Sequence, residues 1–239
     1  MKNYIYISLL LICISTNAQI SIVTKVPEVD SIFSPKLTGE LFYEKKDYIG
    51  DQFFNKDWVD GDILLSTGEM IYGKYLKYNG LLDELIWLNS TNFGAFKLDK
   101  SSIAEFWLKK IAGADIHFKQ INVSKTGNIK PQNIFVEVKV EGNFSFYIQR
   151  KISITGTENS YKNEVLGIFQ DINATPNYYI KLPTNQYLML TKLRRRAFLK
   201  LFPEKKKRIA KIIRTNDLDV SVESDFVKLI ELMNNDKTL

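Results

Sequence analysis

Between Trp58 and Thr191 the chain alternates short apolar and aromatic runs with Gly, Asn, Asp and Ser breaks. Runs of this length, rich in Tyr, Phe, Trp, Ile and Val, are what half-buried pleated surfaces select. They predict strands at 58–65, 70–78, 84–88, 94–98, 103–109, 115–120, 134–141, 144–152, 177–182 and 186–191. Segment 101–109 also fits a helix start, because Ser102 and Glu105 have capping-box spacing. Strands this close together, with no long helix between them, favour antiparallel pairing. The expected fold is mainly β (α+β): an antiparallel sheet, sandwich or partly closed barrel, followed by a C-terminal helical segment. "VKVEGNFSFYI" reads as a hairpin turning at Glu141-Gly142-Asn143. In "YLKYNGLLDELIWL" a four-residue loop over 79–82 would set Leu76 opposite Leu85 and Tyr78 opposite Asp83. A two-residue turn would set Lys74 opposite Leu85, so cross-strand apolar pairing favours the longer loop.

Elsewhere the pattern changes. Residues 153–176 are polar and predict an irregular excursion from the sheet. Residues 19–56, with Pro27 and Pro35, predict a loose arm carrying one short strand in "LTGELFY". After residue 191 the period becomes helical: Leu193, Ala197, Phe198, Leu201 and Phe202 share a face. Pro203 and Glu204 suit the first turn of a second helix, with Ile209, Ile212 and Ile213 as its apolar side. A third helix over about 222–234 carries Phe226, Val227, Ile230 and Met233. At the other end, "MKNYIYISLLLICISTNAQ" sets Lys2 before an apolar run from Ile5 to Ile14 and small residues Thr16 and Ala18 before Gln19. That is the layout of a secretory signal peptide, and its apolar core is shorter than the roughly 20 residues a membrane span needs. Cys13 within it invites a lipoprotein reading, but Ile12 stands where a small residue is wanted. The expected organisation is a signal peptide at 1–18, an N-terminal arm at 19–56, an antiparallel β domain at 57–191 and a basic helical segment at 192–239. No later segment predicts a transmembrane helix.

Cysteine usage sharpens this. The one cysteine falls in the leader, so a mature chain would have no disulfide, thiolate nucleophile or cysteine metal site. Charge is split. Removing Lys2 from 33 basic residues leaves 32 against 27 acids, or +5. Residues 192–214 hold eleven Lys or Arg and only Glu204 as an acid, or +10, so the remainder is −5. The candidate site is therefore an anionic-partner patch of Arg194, Arg195, Arg196, Lys205, Lys206, Lys207 and Arg208. Its expected partners are an envelope protein, lipopolysaccharide or an anionic membrane surface, and not nucleic acid, which an exported protein rarely meets.

Other chemistry is sparse. "DWVDGDILLSTGEMIYG" clusters Asp57, Asp60 and Asp62 around Gly61, but calcium-loop spacing fails at Val59 and Gly61. Period-2 alternation puts Asp60 and Asp62 on one exposed face and Val59, Ile63 and Leu65 on the other, with Gly61 and Gly73 as places of close strand packing. His117, the one histidine, is expected on the polar face opposite Ile116 and Phe118, without the partners of a triad or zinc site. No phosphate-cradling or dinucleotide motif is present. No catalytic, cofactor-binding or metal residue is assigned.

These residues carry a resemblance. The leader ending "NAQ", the segment "WVDGDILLSTGEMIYGKYLKYNGLLDELIWL", the later "LKLFPEKKKRIAKIIRTN" and "DFVKLIELMNN" resemble the exported β-rich proteins common in Bacteroidetes-type bacteria. The resemblance implies an exported β module with a helical tail, periplasmic, outer-envelope associated or secreted, and carries over no catalytic residue. "DSI" at 30–32 resembles the short O-glycosylation acceptor of the same bacteria. The functional expectation is a non-enzymatic interaction or scaffolding module. The alternatives are a glycan- or lipid-binding module, marked by a concave aromatic pocket, and a carboxylate-based hydrolase, marked by two buried carboxylates across a cleft.

Overall fold

The structure, a computed structural model, describes residues 37–45, 47–123, 132–162 and 165–236. The expected leader, its cleavage site and "DSI" lie outside the described residues.

The strands are β1 (Gly39–Leu41), β2 (Tyr48–Ile49), β3 (Val59–Leu65), β4 (Met70–Asn79), β5 (Glu84–Leu88), β6 (Ala95–Leu98), β7 (Ile103–Ile111), β8 (Ala114–Val123), β9 (Gln132–Val140), β10 (Ser145–Gln149), β11 (Ile152–Lys162), β12 (Val165–Ala174), β13 (Asn177–Lys181) and β14 (Tyr187–Leu190). The helices are α1 (Arg195–Lys200), α2 (Lys206–Thr215) and α3 (Glu223–Asn235). Eleven strands form one antiparallel sheet in the order β1-β6-β5-β4-β3-β7-β8-β9-β10-β13-β14. A second, three-stranded sheet has the order β11-β12-β2. The ambiguous segment 101–109 resolves as a single 3-10 turn at Lys100–Ser102, capped by Asp99, running directly into β7.

The large sheet curls without closing into a barrel. β4 and β9 are four places apart, which in a flat sheet is about 19 Å. Yet Tyr78 of β4 packs against Phe106, Phe118 and Phe135 of β7, β8 and β9, with centroids 5.8, 5.0 and 6.3 Å away. The β4–β5 loop completes the wrap: the Phe135 N–H donates to the Asp83 carboxylate at 3.2 Å, on the side of β9 that β10 pairs only from Glu137 onward. Phe106 and Phe118 stack at 4.7 Å, so the concave interior is a packed aromatic core.

The β4–β5 loop does have four residues, but they are 80–83. Tyr78 faces Leu85 and Leu76 faces Trp87, each partner two residues beyond the expected one. The cause is Asn79. It stays in the strand, its side-chain oxygen accepts from the N–H groups of Leu81 and Leu82, and its amide donates to Gln52. Because both ends of the loop moved by one residue, every side chain kept its expected face. Residues 153–176 are not irregular: they form the long β11–β12 hairpin, whose described side chains are mostly exposed or half-buried, with Phe169 and Ile172 buried. The N-terminal arm contains β1 as expected and also β2, which pairs in parallel with β12.

The last strands carry a second core on the same face as the first. Ile148 pairs with Glu137, so alternation places Ile148, Glu137 and Phe135 together. Phe146 and Ile148 of β10 and Tyr178 and Ile180 of β13 are covered by Phe198, Ile209, Ile213, Phe226, Ile230 and Met233 from the three helices. Phe226 lies 4.7 Å from Phe146 and 5.0 Å from Phe198. Asn234 clamps the β9–β10 turn, donating to Phe144 O at 2.8 Å and accepting from Phe144 N at 2.7 Å. Pro203 and Glu204 sit in a turn before α2 and not in its first turn, because the helix starts only at Lys206.

Candidate functional site

The basic segment folds as its periodicity predicts. Phe198, Ile209, Ile213, Phe226 and Ile230 are buried and Leu201 half-buried, which turns the intervening cations outward. Arg194, Arg195, Arg196, Lys206 and Lys207 are exposed and make no ion pair among the described residues. Lys192, Lys200, Lys211 and Arg214 are exposed and unpaired in the same sense. Two of the seven predicted residues differ. Lys205 is half-buried, its ammonium 5.5 Å from the Phe144 ring. Arg208 grips Asp236 with two nitrogens, at 2.5 and 2.7 Å, which raises the guanidinium pKa and ties α2 to the end of α3. Elsewhere six cations, Lys97, Lys100, Lys109, Lys119, Lys139 and Arg150, each hold a carboxylate.

The aspartate cluster splits. Asp57 and Asp60 are exposed, but Asp62 is buried, contrary to the expectation of a shared solvated face. β4 carries a bulge opposite Asp62, and its Gly73 lies at φ +63°, a region that favours glycine. Asp62 accepts the freed Gly73 N–H at 2.9 Å and pairs with Lys109 at 2.5 Å. A Cβ on Gly73 would meet nothing within 4 Å, so its role is conformational and not close packing. Gly61 does mark close packing, since a Cβ there would lie 2.4 Å from Trp107 O. No group of three metal-ligating side chains occurs among the described residues. His117 sits on the face opposite Phe118 as expected, half-buried, with Nε2 2.7 Å from Glu105 and its ring stacked on Trp107 at 4.6 Å.

Two ionic clusters escaped the sequence. At the seam between the two cores the Glu137 side chain, 4% exposed, is bonded by Lys139 Nζ and Arg150 Nε, each at 2.5 Å. The rest of the Arg150 guanidinium binds both oxygens of Glu223, in the first turn of α3, at 3.0 Å each. Burial works against the Arg150 charge, but the bonds to Glu223 and the field of Glu137 outweigh it and raise its pKa. Tyr178 donates to Glu223, and burial followed by that carboxylate raises the phenol pKa. In the other cluster Asp83 receives Tyr78 Oη at 2.7 Å and Lys100 at 2.5 Å. Separations of 73 residues (150 to 223) and 52 (83 to 135) leave no local pattern to read.

No protein-family model, curated protein or solved structure matches the chain. No helix among the described residues is long and apolar enough to cross a membrane.

Proposed function

We propose that the protein is an exported, non-enzymatic component of a bacterial cell envelope that attaches to anionic lipid headgroups, lipopolysaccharide included, through its basic helical cap. The observation that carries this reading is the contrast in pairing. Nine cations between Lys192 and Arg214 are exposed and unpaired among the described residues, whereas Lys97, Lys100, Lys109, Lys119 and Lys139 along the sheet hold carboxylates. An exposed cation near an anionic membrane contributes about 1 kcal/mol, screened over about 8 Å at physiological salt. The helices' apolar faces are already committed to the Phe146–Phe226 core, so the cap offers charge and not insertion.

Co-sedimentation with anionic and neutral vesicles across a salt series tests it. Binding to anionic vesicles alone, falling as salt rises, is expected. Gln at Arg194, Arg195, Lys206 and Lys207 together should abolish it with the melting temperature nearly unchanged, because exposed unpaired charges contribute little to stability. Salt-independent or absent binding would overturn the reading. The export component is checked separately by N-terminal sequencing of the native protein: a start at Gln19 supports it, and an intact Met1 refutes it.

A further inference from the structure

Where the large sheet, the β11–β12 hairpin and the helical cap meet, the surface opens into two adjoining hollows of about 560 and 240 Å³. They share Lys151, Ala174 and Pro176, so they form one continuous cleft. The larger part alone falls in the size range of small-molecule sites, which favour such junctions. Its apolar lining is Phe53, Phe54 and Ile152 in the smaller hollow, Leu193 in the larger and Pro176 in both. The larger hollow adds polar groups: Thr191, Ser221 and the mutually bonded Ser153 and Thr175 hydroxyls, 2.6 Å apart.

The charge balance of the cleft points one way. Arg150 reaches it but is neutralised by Glu137 and Glu223, and Lys139 offsets the remaining negative charge, so this network sums to zero. Ser221 donates to Asp219, which is not part of the lining. What remains is Lys151 and Lys192, with no acidic residue lining either hollow and no ion pair to either ammonium among the described residues. Lys151 is fixed by its backbone: its N–H donates to Gln149 O and its carbonyl accepts from Thr175 N, both at 2.8 Å.

We infer that this cleft is a binding site for a small amphipathic anion, an aliphatic carboxylate whose chain lies along Phe53, Phe54, Ile152 and Pro176 and whose head sits between Lys151 and Lys192. The chain gains apolar burial, and the head supplies the negative charge that both lysines lack. Lys192 is common to both surfaces, but headgroup attachment through the helical cap otherwise uses the exposed cations from Arg194 to Arg214, which do not line the cleft.

Calorimetric titration with decanoate and its uncharged analogue 1-decanol tests the inference. Decanoate should bind saturably at one site per chain, and decanol about tenfold more weakly, the ratio one charge-assisted contact confers. Lys151→Met with Lys192→Met should erase that preference. Ala174→Trp should block both ligands, and because Ala174 is exposed the indole can enter the cleft without disturbing either core. Independently of any variant, decanoate should shift the backbone amide resonances of Thr175 and Asn177 in the unaltered protein. Gln at Arg194, Arg195, Lys206 and Lys207 should leave decanoate binding unchanged, which separates failure of the vesicle reading from failure of this one. Absence of saturable decanoate binding, equal affinity for decanoate and decanol, or amide shifts confined to residues outside the cleft would each overturn it.

Discussion

Replacing Arg150 by methionine removes a side chain that bonds both Glu137 of β9 and Glu223 of α3 across the seam between the two cores. The magnitude follows from what each partner loses. Glu137, 4% exposed, would keep only Lys139. Breaking a buried pair by deleting one member costs about 3–5 kcal/mol, and the surviving Lys139 bond places this case near the lower end. Glu223 is 34% exposed, so solvent screening limits its share to about 1 kcal/mol. The expected loss is therefore about 3 kcal/mol, read as a lowered midpoint in urea unfolding at pH 7 with little change in slope. Adding Glu137→Gln to Arg150→Met should recover part of it, because the stranded charge is what makes the single variant costly. A single-variant loss below about 1 kcal/mol, or two substitutions whose effects simply add, would refute the claim that this network joins sheet and helix.

Asp62→Ala should cost about 1–2 kcal/mol by freeing the Gly73 N–H and stranding Lys109. Asp60→Ala should stay within about 0.5 kcal/mol; equal effects in thermal melts would contradict the division of the aspartate cluster. Burial, reinforced by the Asp83 charge and hydrogen bond, raises the Tyr78 pKa well above its ordinary value. The unfolded chain ionises this phenol near pH 10 while the folded chain keeps it neutral, so the stability it confers is full below about pH 10 and is lost as pH rises. Tyr78→Phe should be less stable at pH 7 by about 1 kcal/mol, and its midpoint should fall less steeply above pH 10. Parallel alkaline profiles for the two proteins would refute the assignment.

Local rules carried most of the strands. Alternation in "EVKVEGNFSFYI" and the aromatic run "ELIWL" need only their neighbours to be read, and β5 fell at its expected residues. The helical stripe from Phe198 to Met233 was equally legible, because burial against one partner leaves a 3.6-residue period. The sequence was silent where long-range geometry decides. The curl that brings Tyr78 to Phe135 depends on four intervening strand pairings, and nothing near Asn79 announces that Gln52 holds its side chain. Polar residues hid the β11–β12 hairpin: of its described side chains only Ile152, Phe169 and Ile172 are buried, too few to display alternation. For the candidate site, the charge run of 192–214 was visible as composition. Which cations were spent, Arg208 on Asp236 above all, required the fold. The junction cleft was invisible, since Phe53, Lys151, Pro176 and Lys192 share no local pattern.

The β11–β12 hairpin has a further consequence. β2 meets it only at Gln170 and Asp171, and from there outward its ladder pairs solely with itself among the described residues. With eleven residues in β11 the ribbon is about 36 Å long, anchored at its root where the Ile152 N–H donates to Gly80 O at 2.9 Å. Shortening it symmetrically from the far end removes matched rungs and leaves that root, and hence both cores, in place. The same ribbon is a natural acceptor for grafted sequence: a peptide spliced beyond the rung of Lys162 and Val165 would be carried on a stalk whose register is fixed by its own rungs.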